Sequence, residues 1–264
     1  MLKTAYQLDK ARVRQSFAAA ASRYDSLAGL QRQVGETLLA KFPLTSGVGR
    51  ILDIGCGTGF LTGKLAQAAD NQAIVALDIA LPMLHACRAN HPATAITPVC
   101  GDAEKLPFGR QSFQQIYSNL ALQWCQDLAA VLSNCQQLLE ANGRLVFATF
   151  GPATLQELKT AWRSVDNYTH VNEFYSTAEI DGFLRQAGFR RVHLETAHYK
   201  TSYSSVLALM RELKGLGAHN VNLHKNPKVT TRHELQQMIG SYVAGMPDSE
   251  VYATYEIIFV EATI

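Results

Sequence analysis

The stretch Arg50-Ile51-Leu52-Asp53-Ile54-Gly55-Cys56-Gly57-Thr58-Gly59 joins an apolar run to a turn with glycine at three alternate positions, and it sets an acid two residues ahead of the first glycine. The apolar, β-branched residues at 51–54 predict a buried strand. Gly55, Gly57 and Gly59 allow close approaches that a Cβ would block, so the turn is expected to bring backbone N–H groups near a ligand. Two further acids, Asp78 and Asp102, close later apolar runs in the same way.

Outward from this turn, strand and helix patterns alternate. Strands are expected at 50–54, 73–78, 95–100, 112–118 and 144–150, with helices at about 59–69, 81–89 and 127–140 between them. Such alternation predicts an α/β fold, a Rossmann-like parallel sheet covered by helices on both faces. Upstream, 9–41 reads as two amphipathic helices interrupted near Tyr24-Asp25-Ser26. Downstream, helices are expected at 154–166 and 176–187, the latter closed by Gly188, followed by a strand at 190–200. Helices at 204–216 and 230–243 and a last strand at 251–263 complete a sheet of seven strands. The expected organisation is an N-terminal helical lid segment (1–45), a ligand-binding core (46–200), a helical insertion (201–250) and the last core strand (251–264).

In such sheets ligands bind beyond the carboxyl ends of the strands, and Asp53, Asp78, Asp102 and Asn119 all fall there. A nucleoside with a cationic amino-acid tail suits this set. Asp53 can sit near an ammonium, and Gly55, Cys56, Gly57 and Gly59 give close access to the tail and the ribose. One carboxylate, Asp78, can accept from both ribose hydroxyls. Ile79 and Met83 offer apolar surface to the base, and Asp102 and Ala103 offer an acceptor and a donor to its edge. An isolated acid at a strand end is commonly a turn or helix cap, but the ordered set fits S-adenosylmethionine. A dinucleotide is disfavoured, because its fingerprint is Gly-x-Gly-x-x-Gly and Asp53 would repel a pyrophosphate.

A chain of 264 residues supplies a full core, and no apolar stretch approaches the roughly 20 residues of a membrane-spanning helix. The start lacks the pattern of a signal peptide, so a cytoplasmic protein is expected. The five cysteines are scattered without any C-x-x-C, which points to reduced thiols and no metal site. Between Arg185 and Arg232 there are nine Lys/Arg against two Glu, a net of +7, and an acidic partner is expected there.

By Asp53 to Gly59, with Asp102-Ala103-Glu104-Lys105-Leu106-Pro107-Phe108 downstream, the chain resembles the class I S-adenosylmethionine-dependent methyltransferases. Further segments narrow the resemblance: Ala20-Ala21-Ser22-Arg23-Tyr24-Asp25, Ser118-Asn119-Leu120-Ala121-Leu122-Gln123-Trp124-Cys125, Thr149-Phe150-Gly151-Pro152, and Leu209-Met210-Arg211 through Lys214-Gly215-Leu216-Gly217-Ala218-His219-Asn220. Together they are similar to the malonyl-acyl-carrier-protein O-methyltransferase family of biotin synthesis. Two positions depart from the family pattern: Gln114 stands where many relatives have Asp, and Asn142-Gly143 replaces Gly-Gly. The resemblance implies methylation of the free carboxylate of a malonyl thioester on acyl carrier protein, with S-adenosylhomocysteine as by-product.

That carboxylate is already ionised near pH 7, so no general base is expected. Arg211 and Lys214, three apart on one expected helix, are candidates to grip it. Tyr24, with Gln31, can meet the cofactor or the acceptor, and Gln123 and Trp124 follow Asn119 where such folds present residues to the acceptor. Other readings stay open: an O- or C-methyltransferase acting on a free dicarboxylic acid or a quinone, or a non-catalytic sensor of an adenosyl ligand. Coenzyme A in place of the carrier protein is also open. Nucleic acid and membrane are not expected as partners, since the basic stretch lacks interleaved aromatic residues.

Overall fold

The computed structural model describes residues 8–45, 49–69, 74–218, 230–247 and 250–264. Seven strands form one sheet: β1 (Ile51–Ile54), β2 (Ile74–Asp78), β3 (Ile96–Cys100), β4 (Phe113–Asn119), β5 (Leu139–Phe150), β6 (Arg191–Tyr203) and β7 (Val251–Thr263). Their order is β3-β2-β1-β4-β5-β7-β6. The first five are parallel, while β7 runs antiparallel to both β5 and β6. All residues of β1 and β2 are buried, as expected of parallel strands covered on both faces.

Among the described residues, ten α-helices surround the sheet: α1 (Lys10–Ala20), α2 (Tyr24–Leu27), α3 (Gly29–Lys41), α4 (Phe60–Ala68), α5 (Leu81–Asn90), α6 (Leu128–Leu138), α7 (Gln156–Arg163), α8 (Thr177–Ala187), α9 (Val206–Gly215) and α10 (Arg232–Ala244). One core packs Val34 and Leu38 of α3, Leu65 of α4, Trp162 of α7 and Met238 of α10 on the sheet. The other holds Leu132 and Cys135 of α6 with Ile180 and Leu184 of α8. A reciprocal Ser176–Glu179 capping box starts α8, and Gly188, at φ +99°, closes it.

Three boundaries differ from the sequence expectation. The N-terminal segment breaks twice, after Ala20 and at Ala28, so Tyr24 opens a short helix of its own. Strand β5 begins at Leu139 because that residue pairs with Phe113 ahead of a bulge, and α6 is correspondingly shorter. Asn142 there takes φ +62°, the left-handed conformation that Asn tolerates in place of glycine. Strand β6 continues to Tyr203, where it pairs with Val251.

Helices α2 and α9 meet over the carboxyl edge of the sheet. Arg23 Nε donates to the Gly215 carbonyl at 3.3 Å, and a Cβ on Gly215 would come within 2.4 Å of Leu27. Asp25 ties α2 to the glycine turn, accepting from Thr58 Oγ1 at 2.6 Å and from Asn90 at 3.2 Å.

Candidate functional site

The turn after β1 makes all three glycines necessary, each for a different reason. Gly55, Gly57 and Gly59 have φ of +72°, +54° and +93°. A Cβ on Gly55 would lie 2.1 Å from Ala121, and one on Gly59 would lie 2.5 Å from Cys87 Sγ; beside Gly57 only Tyr24 comes close, at 3.9 Å. Gly59 therefore serves the packing of α4 on α5 and does not border the cavities, contrary to expectation. The donors of the turn are also spent internally. Gly55 and Cys56 N–H donate to Leu77 O at 2.7 and 3.0 Å, Gly57 N–H to Asp78 Oδ2 at 2.9 Å, and Gly59 N–H to Cys56 O at 2.9 Å. What the turn offers a ligand is close approach rather than a nest of N–H groups.

Three adjoining cavities lie at this edge. The first is bordered by Asp78, Ile79, Met83, Asp102, Ala103 and Trp124, and the second by Tyr24, Gln31, Asp53, Cys56 and Thr58; Tyr24, Gly55, Gly57 and Asn119 belong to both. The third, of about 280 Å³, is walled by Leu30, Phe150, Trp162, His170, Phe174 and Lys214. It shares Trp124 with the first and Gln31 with the second.

Buried acids dominate the first two. Asp53 is 1% exposed, accepts from Thr62 Oγ1 at 2.6 Å, and has its pKa pushed up to about 7, chiefly by burial and further by Asp78. Burial likewise raises Asp78, against the opposing pull of N–H donors at Ala80, Gly57 and Ile79. Burial, then Asp78 and Asp25, keep the Tyr24 phenol protonated well above its ordinary range. Asn119 Nδ2 donates to the Gln31 carbonyl at 2.8 Å. Among the described residues, the side-chain oxygens of Gln31 and Asn119 are buried without a hydrogen-bond partner, so both can accept from a bound ligand.

Not every expected residue converges. Gln123 turns its amide to Leu120 O at 2.7 Å and borders a separate small pocket, because the 3-10 turn at 122–124 directs it away from Trp124. Arg211 is exposed and does not border the third cavity, whereas Lys214, one turn on, does. Arg190 and Arg191, two of the basic residues in the +7 stretch, lie away from the cavities: Arg191 pairs with Thr263, which pairs with Arg144 at the amino end of the parallel strands. The described residues of the +7 stretch thus share no single face. Asp102 does border the first cavity, but Lys10 Nζ holds its two oxygens at 2.6 and 2.7 Å.

Two other bordering groups, Lys10 and His170, were not among the expected site residues. Lys10 comes from α1, far away in the chain. His170 stacks on Trp162 with ring centroids 3.8 Å apart, and its Nε2 lies 2.8 Å from Asp166 Oδ1. Only the four-residue spacing from Asp166 hinted at that pair, and outside a regular helix it carried little weight. His219 and Asn220 lie outside the described residues.

The family description "Methyltransferase domain" matches residues 52–147, the span from β1 into β5. A crystal structure of a methyltransferase from Bacillus halodurans superposes with a TM-score of 0.65 at 17% identity, over 88% of this chain and 98% of its own. The fold is that of the class I methyltransferases, with a seven-stranded sheet and a cavity across its β1/β4 switch point. The malonyl-[acyl-carrier protein] O-methyltransferase of Methylococcus capsulatus is 44% identical over 92% of this chain and 90% of its own. The biotin biosynthesis bifunctional protein BioHC of Cellvibrio japonicus is 41% identical over 96% of this chain and half of its own length. This chain belongs to the malonyl-[acyl-carrier protein] O-methyltransferase family.

Proposed function

We propose that the protein transfers a methyl group from S-adenosylmethionine to the free carboxylate of a malonyl group held as a thioester on acyl carrier protein, an early step towards the pimeloyl chain of biotin. The observation that carries the cofactor reading is the pair of orphaned acceptors, Gln31 Oε1 and Asn119 Oδ1, beside the buried Asp53. An α-ammonium supplies the donors they lack and the positive charge that keeps Asp53 ionised. Asp78 accepts from the ribose diol, Ile79 and Met83 flank the adenine, and Asp102 and Ala103 face its edge. When bound, the sulfonium supplies an electrophilic methyl group.

The chain's own residues then position and desolvate. Trp124 borders both the cofactor and the acceptor cavities, so the acceptor oxygen meets the methyl group beside its indole. Phe150, Trp162, Phe174 and Leu30 line the acceptor cavity with apolar surface, and Lys214, exposed at its edge, attracts the malonyl carboxylate. No residue need remove a proton. Esterification abolishes the charge that Lys214 holds, and the product is released more readily than the substrate binds. Helices α1 to α3 and α9 act as the lid over this arrangement.

An acidic carrier protein is the partner. Its docking site is the rim at α9, where Arg23 contacts Gly215 and exposed Arg211 precedes Lys214 by one turn. Comparison of malonyl-carrier protein, malonyl-coenzyme A and free malonate as acceptors tests the reading: the carrier-bound substrate should give the highest kcat/KM, and equal or better use of free malonate would overturn it.

A further inference from the structure

A fourth cavity, of about 330 Å³, opens on the far side of the acceptor cavity and shares Trp162, His170 and Val171 with it. The cofactor, acceptor and fourth cavities therefore lie next to one another in a row. Lys159 and Arg163, four residues apart on α7, border the outermost one, and neither forms an ion pair among the described residues. Like charges at this spacing repel each other on a helix. The Lys159 ammonium is also partly desolvated: it lies 5.4 Å above the Phe174 ring and donates to the Pro152 carbonyl at 3.0 Å, leaving two N–H groups for another acceptor. Burial pulls its pKa down, Glu173, also at the cavity, opposes this, Arg163 adds to the lowering, and Glu256 opposes it further. Among the described residues that border it, the cavity has two cations and one carboxylate, a net charge of +1 that suits an anion.

We infer that this cavity binds the phosphodiester of the substrate's phosphopantetheine arm, with Lys159 and Arg163 as its two ligands and the Trp162–His170 stack as the wall along which the arm passes. The inference rests on the proposed function. The Arg163 guanidinium presents a planar fork suited to two phosphate oxygens, while Lys159 acts as a point charge. A phosphate between them relieves their repulsion.

The test compares malonyl-pantetheine with malonyl-phosphopantetheine, which differ by the phosphate alone, using wild type, Lys159→Met, Arg163→Met and the double variant. Thermal unfolding of each variant establishes that it is folded. Wild type should show the lower KM for the phosphorylated substrate. The double variant should raise that KM at least about tenfold, as expected for loss of charge-assisted bonds, and leave that of malonyl-pantetheine within about twofold. Malonyl-carrier protein and malonyl-coenzyme A should both follow the phosphorylated substrate; a loss confined to the carrier protein would indicate protein docking instead and overturn the inference. Equal changes for the two pantetheine substrates, or none, would also overturn it. If wild type methylates no malonyl thioester, the proposed function itself fails and the inference falls with it.

Discussion

Lys10 grips both carboxylate oxygens of Asp102, at 2.6 and 2.7 Å, and reaches Glu104 at 2.5 Å, so the first helix is fastened at the border of the cavity lined by Asp78 and Met83. The fastening joins residues 92 apart in sequence. Lys10→Met should leave thermal stability within about 1 kcal/mol, since the pair is partly solvated. It should nevertheless speed amide exchange over α1 and weaken cofactor binding. Hydrogen exchange and calorimetry on one preparation check both; unchanged exchange in α1 would show that other contacts hold the helix.

Asp78 supports the turn as well as facing the cavity, through Gly57 N–H and Ala80 N–H. Asp78→Asn keeps the size and an acceptor oxygen but removes the charge, and it should weaken S-adenosylmethionine binding by about 1.5–3 kcal/mol. Calorimetry at a temperature where the variant is folded reads the change. An unaltered dissociation constant would remove Asp78 from the ribose site.

Asp53 gives a pH signature. Its carboxyl titrates near 7 in the folded chain against 3.8 as its ordinary value, with burial the leading cause. Across that interval the native state holds a proton that the unfolded chain has released, so the contribution of Asp53 to stability declines as pH rises and levels off above about 7. Asp53→Asn should flatten this slope in the cofactor-free protein and raise the melting temperature at pH 8 relative to wild type. A cationic ligand that keeps Asp53 ionised should also expel its proton. Calorimetry near pH 7 in buffers of different ionisation enthalpy should show proton release on cofactor binding, absent in Asp53→Asn; equal release by both proteins would place the titrating group elsewhere.

The surface charges divide into two groups. Lys214→Met should lower kcat/KM for malonyl transfer by about tenfold or more while cofactor affinity stays nearly constant, because Lys214 borders only the acceptor cavity. Reversal of Arg190 and Arg191 to Glu should change neither substrate's kinetics, since these residues lie at the opposite end of the sheet. A specific loss with malonyl-carrier protein in that variant would show that the carrier spans far more of the surface than the α9 rim.

The glycine run, with Asp53 ahead of it and Asp78 and Asp102 after it, disclosed the sheet and its switch point, because strand periodicity and turn chemistry are local. Long-range placement was not local. Nothing near Lys10 indicates that it meets Asp102, and the charge count over 185–232 could not reveal that β6 carries Arg191 to one end and Lys200 towards the other. Helical spacing correctly put Arg211 and Lys214 on the same helix; which of them faces the cavity depends on how α9 rotates against Leu27. Gly59 looked like part of a ligand loop, yet its need for a missing Cβ comes from Cys87, 28 residues later.

Mass spectrometry of malonyl-carrier protein after incubation with the protein and methyl-labelled S-adenosylmethionine tests the central claim most directly. One labelled methyl group per malonyl chain is expected, located on the distal carboxylate and removed by ester hydrolysis, with S-adenosylhomocysteine formed in equal amount. Cofactor binding without any methyl ester on the malonyl chain, or label on the carrier polypeptide instead, would contradict it.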